Sequence, residues 1–154
     1  MAYDARIVAN YFLDLANRDR ILLSPLKLQK LVYLAHGWSL ALRGKPLIRQ
    51  NVEAWRYGPV IPELYQAFKN FGGSVISNKA VIREQAEQID EDSQKLIGAV
   101  WEKYKNLSAL QLSALTHEPG SAWDLVMNNP SFFGRPTIND DLIADEFQRR
   151  RQRR

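Results

Sequence analysis

The chain has no cysteine, only two histidines and two methionines, and no apolar run approaching the ~20 residues that a membrane-spanning helix needs. Without cysteine there are no disulfides, thiolate metal sites or cysteine nucleophiles, a usage that fits a reducing compartment and predicts a cytoplasmic protein. The N-terminal MAYDARIV has no signal-peptide pattern. His36 and His117 have no thiolate to join in a zinc site, and His117-Glu118-Pro119 lacks the second histidine one turn on that a metalloprotease helix requires. No phosphate-binding loop, dinucleotide fingerprint or nucleophile elbow is present, and Gly72-Gly73-Ser74 lacks the lysine that would complete a phosphate cradle. The expectation is a protein with no catalytic residues, metal or cofactor.

What is present suits one domain: 154 residues, 45% hydrophobic, are enough for a sizeable core. The net charge of +4 is misleading, because Arg149, Arg150, Arg151, Arg153 and Arg154 put five cations into the last six positions. Residues 1–148 therefore hold 21 less five, or 16, basic groups against 17 acidic ones. A near-neutral body argues against nucleic acid except through the basic tail. The division expected is a domain over 1–148 and a flexible arginine-rich tail over 149–154 that contacts a partner.

Periodicity is mainly helical. Asp4 caps a first helix with Ile7, Val8, Tyr11, Phe12 and Leu15 on one stripe. Ser24-Pro25 opens a second, with Leu28, Leu31, Val32, Ala35, Trp38 and Leu42 inward and Gly44 beyond its end. That helix is apolar over more than half its circumference and should lie at the centre of the core. From Val52 to Tyr57 the period becomes two, with Glu53, Trp55 and Tyr57 on one face and Val52 and Ala54 on the other. This strand needs a partner, for which Leu47-Ile48 and the Val75–Ile89 region, including Val81-Ile82 and Gln85 onwards, are the candidates.

Helices return with Pro62 (Leu64, Tyr65, Phe68 and Phe71 inward), with Asp90 or Asp92, with the Ser108/Gln111 capping box, and from Ser121 to Met127; the last opens near Thr137-Ile138. The fold class is a single mainly α domain with a small antiparallel β-sheet. A helix-turn-helix reading of 110–127 is disfavoured, because its second helix would begin Ser-Ala-Trp-Asp rather than offer base-reading side chains.

The unusual feature is the aromatic, conformationally restricted cluster Trp55, Arg56, Tyr57, Gly58, Pro59, Pro62 and Tyr65. Trp, Arg and Tyr dominate interface hot spots, so Trp55, Arg56, Tyr57, Pro59 and Tyr65 form a candidate partner-binding patch. Gln29 and Lys30, on the polar side of the second helix, would complete it if that edge is uncovered. Trp38 and Trp123 are assigned to the core.

Leu28-Gln29-Lys30-Leu31, Tyr33 followed by Ala35-His36-Gly37, and Glu53-Ala54-Trp55-Arg56-Tyr57-Gly58-Pro59-Val60 with Pro62, Leu64 and Tyr65 together resemble the Panacea domain, the SocA-like antitoxin domain of bacterial and phage toxin-antitoxin pairs. The resemblance implies an antitoxin that neutralises a co-encoded toxin by direct binding, and hence a cognate toxin as partner. It leaves open an adaptor that delivers the toxin to the ClpXP protease and a DNA-binding, autorepressing prophage regulator. The arginine-rich tail departs from the family pattern and is the natural toxin-specific segment.

Overall fold

A computed structural model describes residues 2–80 and 87–153. Helix α1, Ala5–Asp19, starts where the Asp4 carboxylate accepts from Arg6 N–H, and ends at Arg20, whose left-handed φ of 57° stops it. Helix α2, Pro25–Arg43, has Ser24 as N-cap, Pro25 in its first turn and Gly44 as a left-handed C-cap. Every residue from Lys27 to Ser39 is buried, because α2 is packed on all sides, touching α1, the sheet and the four later helices α3 (Pro62–Phe68), α4 (Glu91–Tyr104), α5 (Ala109–Thr116) and α7 (Asp140–Gln152). The central position expected of this helix is therefore found, although Leu42 lies half exposed in its last turn.

The sheet is antiparallel, of order β2-β1-β3, with β1 Val52–Trp55, β2 Gly58–Val60 and β3 Thr137–Ile138. Its pairing differs from both sequence candidates. The partner of β1 is the Gly58-Pro59-Val60 segment that reads as a break: Arg56 and Tyr57 form a two-residue turn that sets Trp55 opposite Gly58. On the other side Glu53 pairs with Thr137, so the segment expected to open the last helix is a strand first. Leu47-Ile48 is not a hairpin arm, for Ile48 makes only a parallel bridge with Tyr3. Residues 81–86, where part of the second candidate falls, lie outside the described residues. The alternation itself is as expected, with Val52 and Ala54 buried and Glu53 and Trp55 half-buried.

Pro59 is tolerated in β2 because β2 is an edge strand and residue 59 occupies a non-hydrogen-bonded position opposite Ala54. In the second half Asp90, not Asp92, caps α4, and Ser108 and Gln111 make both bonds of the capping box that starts α5. Helix α6, Ala122–Met127, is capped by Ser121, and Asn139 caps α7. Phe147 of α7 packs edge-on against Tyr33 and Trp38, with centroids 5.8 and 5.4 Å away. Burying a ring of this size contributes about 1.5–3 kcal/mol.

The tail is the largest correction. Helix α7 continues through Arg149, Arg150 and Arg151 to Gln152. Arg150 is no solvated end: its guanidinium reaches Glu146 at 2.7 Å and the Leu115 carbonyl at 2.6 Å. Arg149 donates to the Gly120 carbonyl, Arg151 is exposed, Arg153 lies 3.9 Å from Glu118, and Arg154 lies outside the described residues. The run of charge hides an i, i+4 Glu146–Arg150 pair that the helix turns inward.

Candidate functional site

The hairpin of β1 and β2 leans on the flank of α2, and the backbone between them is held at alternate residues. The Trp55 carbonyl accepts from the Trp123 indole, Tyr57 from the Ser113 hydroxyl at 2.9 Å, Pro59 from the Lys30 ammonium at 2.8 Å, and Ile61 from the Gln29 amide at 2.9 Å. In an antiparallel hairpin, alternate residues point their backbone groups away from the ladder. On the β2 edge Lys30 and Gln29 of α2 thus occupy, at Pro59 and Ile61, groups that an open edge would present to another strand, while α5 and α6 hold the turn at Tyr57 and Trp55. The result is a turn fixed in place and an edge already covered.

Gln29 and Lys30 are therefore not on an exposed side, as the sequence suggested. Lys30 is fully buried and Gln29 nearly so. They are polar because they face the edge of a strand rather than water. Burial pushes the Lys30 ammonium down to about 7 from an ordinary 10.5, and among the described residues no carboxylate pairs with it to offset the loss of hydration. Gly58, with φ of 125°, makes room for it: a Cβ there would sit 2.7 Å from Lys30 Nζ. Pro59 is buried in the strand and is not a contact surface.

Beside this clamp opens a groove of about 730 Å³. Its walls include Leu26 from α2, Val60, Leu64 and Tyr65 from β2 and α3, and Met127 at the end of α6. Trp55 and Tyr65 meet edge-on with centroids 5.1 Å apart, and the Trp55 indole N–H is held by Glu53 at 2.8 Å. The Arg135 guanidinium lies 3.8 Å from the Trp55 ring centre, and Arg56 sits 5.4 Å from that of Tyr57. Tyr57 is 67% exposed and Tyr65 44%, so the inward placement expected of Tyr65 is corrected: it faces the groove.

Trp55, Arg56, Tyr57 and Tyr65 thus line one groove, with the buried Gln29 and Lys30 beneath it rather than at its rim. Sequence reasoning missed Lys69, just beyond α3, and Arg135 and Met127, which join them from distant segments. Gly134-Arg135-Pro136 is legible as a turn, but only the β1–β3 pairing brings Arg135 over Trp55.

His36 is fully committed to structure. Its Nε2–H donates to Asp140 at 2.9 Å while Nδ1 faces the N–H groups of Leu47 and Ile48. Trp38 is buried as expected, but Trp123 is only partly so. Among the described residues no group of three or more His, Asp and Glu side chains is placed to hold a metal, and no helix is long and apolar enough to cross a membrane. In α6 Ala122 and Val126 are buried and the Trp123 indole donates to the hairpin backbone.

The structure is an α+β domain with an aromatic-rimmed groove beside the β1–β2 hairpin. The sequence matches the family described as "Antitoxin SocA-like, Panacea domain" over residues 28–124, and the chain belongs to that family. It is also 38% identical to the protein named Antitoxin SocA of Caulobacter vibrioides (strain NA1000 / CB15N), over 94% of this chain and 82% of that one. No solved structure matches. The family match includes the hairpin and the four side chains that hold it, while Met127 and Arg135 lie beyond it.

Proposed function

We propose that this protein is a non-enzymatic antitoxin that acts in the bacterial cytoplasm by binding a cognate toxin directly through the groove beside the β1–β2 hairpin. The observation that carries the reading is the immobilised turn. Because the backbone at Trp55, Tyr57, Pro59 and Ile61 is already held by Trp123, Ser113, Lys30 and Gln29, the exposed Tyr57 and Tyr65 rings lose little conformational freedom on binding. Membership of the SocA-like family supplies the class of partner.

The test is co-expression with the toxic product of the adjacent reading frame. Growth rescue should need about one antitoxin per toxin and leave toxin levels unchanged. Tyr57→Ala or Tyr65→Ala should weaken binding roughly 30-fold, the effect of losing about 2 kcal/mol at a hot spot, with little change in thermal midpoint. Rescue at a small fraction of one per toxin with loss of toxin would replace direct neutralisation by delivery to a protease such as ClpXP. Full rescue by both tyrosine variants would remove the groove from toxin recognition.

A further inference from the structure

The charged side chains lining the groove are all basic: Lys30, Arg56, Lys69 and Arg135, with no Asp or Glu among them. This is segregation, because the body of the chain is close to neutral. None of the four forms an ion pair within the described residues, whereas Arg6, Arg18, Arg49 and Lys105 each have a carboxylate partner. Arg56 and Arg135 lie over aromatic rings at the rim, and Lys30 lies beneath with one hydrogen bond to Pro59. Between them the walls are Leu26, Val60, Leu64 and Met127.

Resting on the groove's role in partner binding, we infer that its occupant is an acidic peptide segment of the partner, with aliphatic or aromatic side chains on the apolar walls and carboxylates against Arg56 and Arg135 at the rim. Arginine suits this task, since its planar fork takes a carboxylate in two parallel hydrogen bonds while its face stays on a ring. A single-stranded nucleic acid fits less well: the Trp55 face is stacked by Arg135 and its edge by Tyr65, so no open row of aromatic platforms remains for bases.

The test pans the full chain against a phage-displayed library of random 12-residue peptides. Enriched peptides are then synthesised and titrated by fluorescence anisotropy, beside the oligonucleotide dT12. Enriched sequences should combine at least two acidic residues with an apolar anchor. Binding should fall about 10- to 30-fold in Arg56→Gln/Arg135→Gln, whose altered side chains are exposed and leave the fold intact, and should weaken as salt is raised. Neutral or basic peptides, no enrichment, equal binding by the double variant, or tighter binding of dT12 would each overturn the inference. If Tyr57→Ala and Tyr65→Ala abolish toxin rescue yet acidic peptides fail to bind, the groove reading stands and the acidic occupant falls. If the peptides bind as expected but both tyrosine variants still rescue, the acidic site stands and the toxin reading falls.

Discussion

The side-chain amide of Gln29 pairs twice with the backbone of Ile61, accepting from its N–H at 3.0 Å and donating to its carbonyl at 2.9 Å. A glutamine on a helix thereby substitutes for the next strand of the sheet, and the β2 edge docks on α2 without leaving buried groups open.

Gln29→Leu keeps the volume but strands a buried donor and a buried acceptor. At about 1–3 kcal/mol for each unsatisfied group, the variant should lose roughly 2–6 kcal/mol and melt about 6–18 °C lower, at ~3 °C per kcal/mol for a chain of this length. Differential scanning calorimetry measures it; a shift under 2 °C would mean that water replaces the amide.

Gly37 faces Phe147, and a Cβ at that position would lie 2.5 Å from the ring's Cζ. The close approach of α2 and α7 depends on the missing methyl. Gly37→Ala gains helix propensity worth about 1 kcal/mol, but overpacking of a rigid ring against backbone costs about 1–3 kcal/mol or more. The net expectation is destabilisation by urea unfolding, relieved when Phe147→Leu is added. A Gly37→Ala variant more stable than the parent would show that α7 moves freely.

How far the sequence reached can be judged from these same residues. The helices were legible because their caps are local: Ser24-Pro25, Ser108 with Gln111 and Gly44 each state a boundary within four residues, and each is realised. The groove's centre was legible too, since Trp55, Arg56, Tyr57 and Tyr65 are neighbours in the chain. Strand pairing was not, for β3 is two residues long and its Thr137 pairs with Glu53, 84 positions away (137 less 53), and nothing in Thr137-Ile138 names Val52 and Glu53 as partners. Gln29 and Lys30 were placed on the wrong side for a related reason: polarity at a helix face signals water or a backbone edge equally, and only the hairpin's position decides.

Lys30 should give stability a pH dependence. The folded chain releases this proton near pH 7, whereas an unfolded lysine holds it to an ordinary 10.5. Between those values the unfolded state binds more protons, so stability rises with pH, by up to about 1.4 kcal/mol per unit. The charged side chains that line the groove with it, Arg56, Lys69 and Arg135, include no carboxylate to offset the effect of burial. Urea unfolding at pH 7 and pH 9 should show the gain in the parent and its absence in Lys30→Met. Parallel gains in both proteins would assign the effect elsewhere.

The last prediction concerns Glu146, 3% exposed on α7 and shared by three elements. One carboxylate oxygen accepts from Ala122 N–H at 2.8 Å and from the Tyr33 hydroxyl at 3.3 Å, and the other takes Arg150. Burial, and after it the nearby Glu146 anion, pushes the Tyr33 phenol well above its ordinary range. Removing Arg150 leaves a buried carboxylate uncompensated, a loss of about 3–5 kcal/mol, and also frees the Leu115 carbonyl that anchors α5. Truncation after Gln148 should therefore destabilise the whole domain, whereas truncation after Gln152 removes the exposed Arg153 together with Arg154 and should leave the melting temperature unchanged. Glu146→Leu with Arg150→Leu should not restore stability, although such apolar replacements often do, because Ala122 N–H at the start of α6 loses its acceptor as well. Thermal midpoints of the two truncations and the double variant decide the matter: equal midpoints for the two truncations would return residues 149–152 to the role of a free tail.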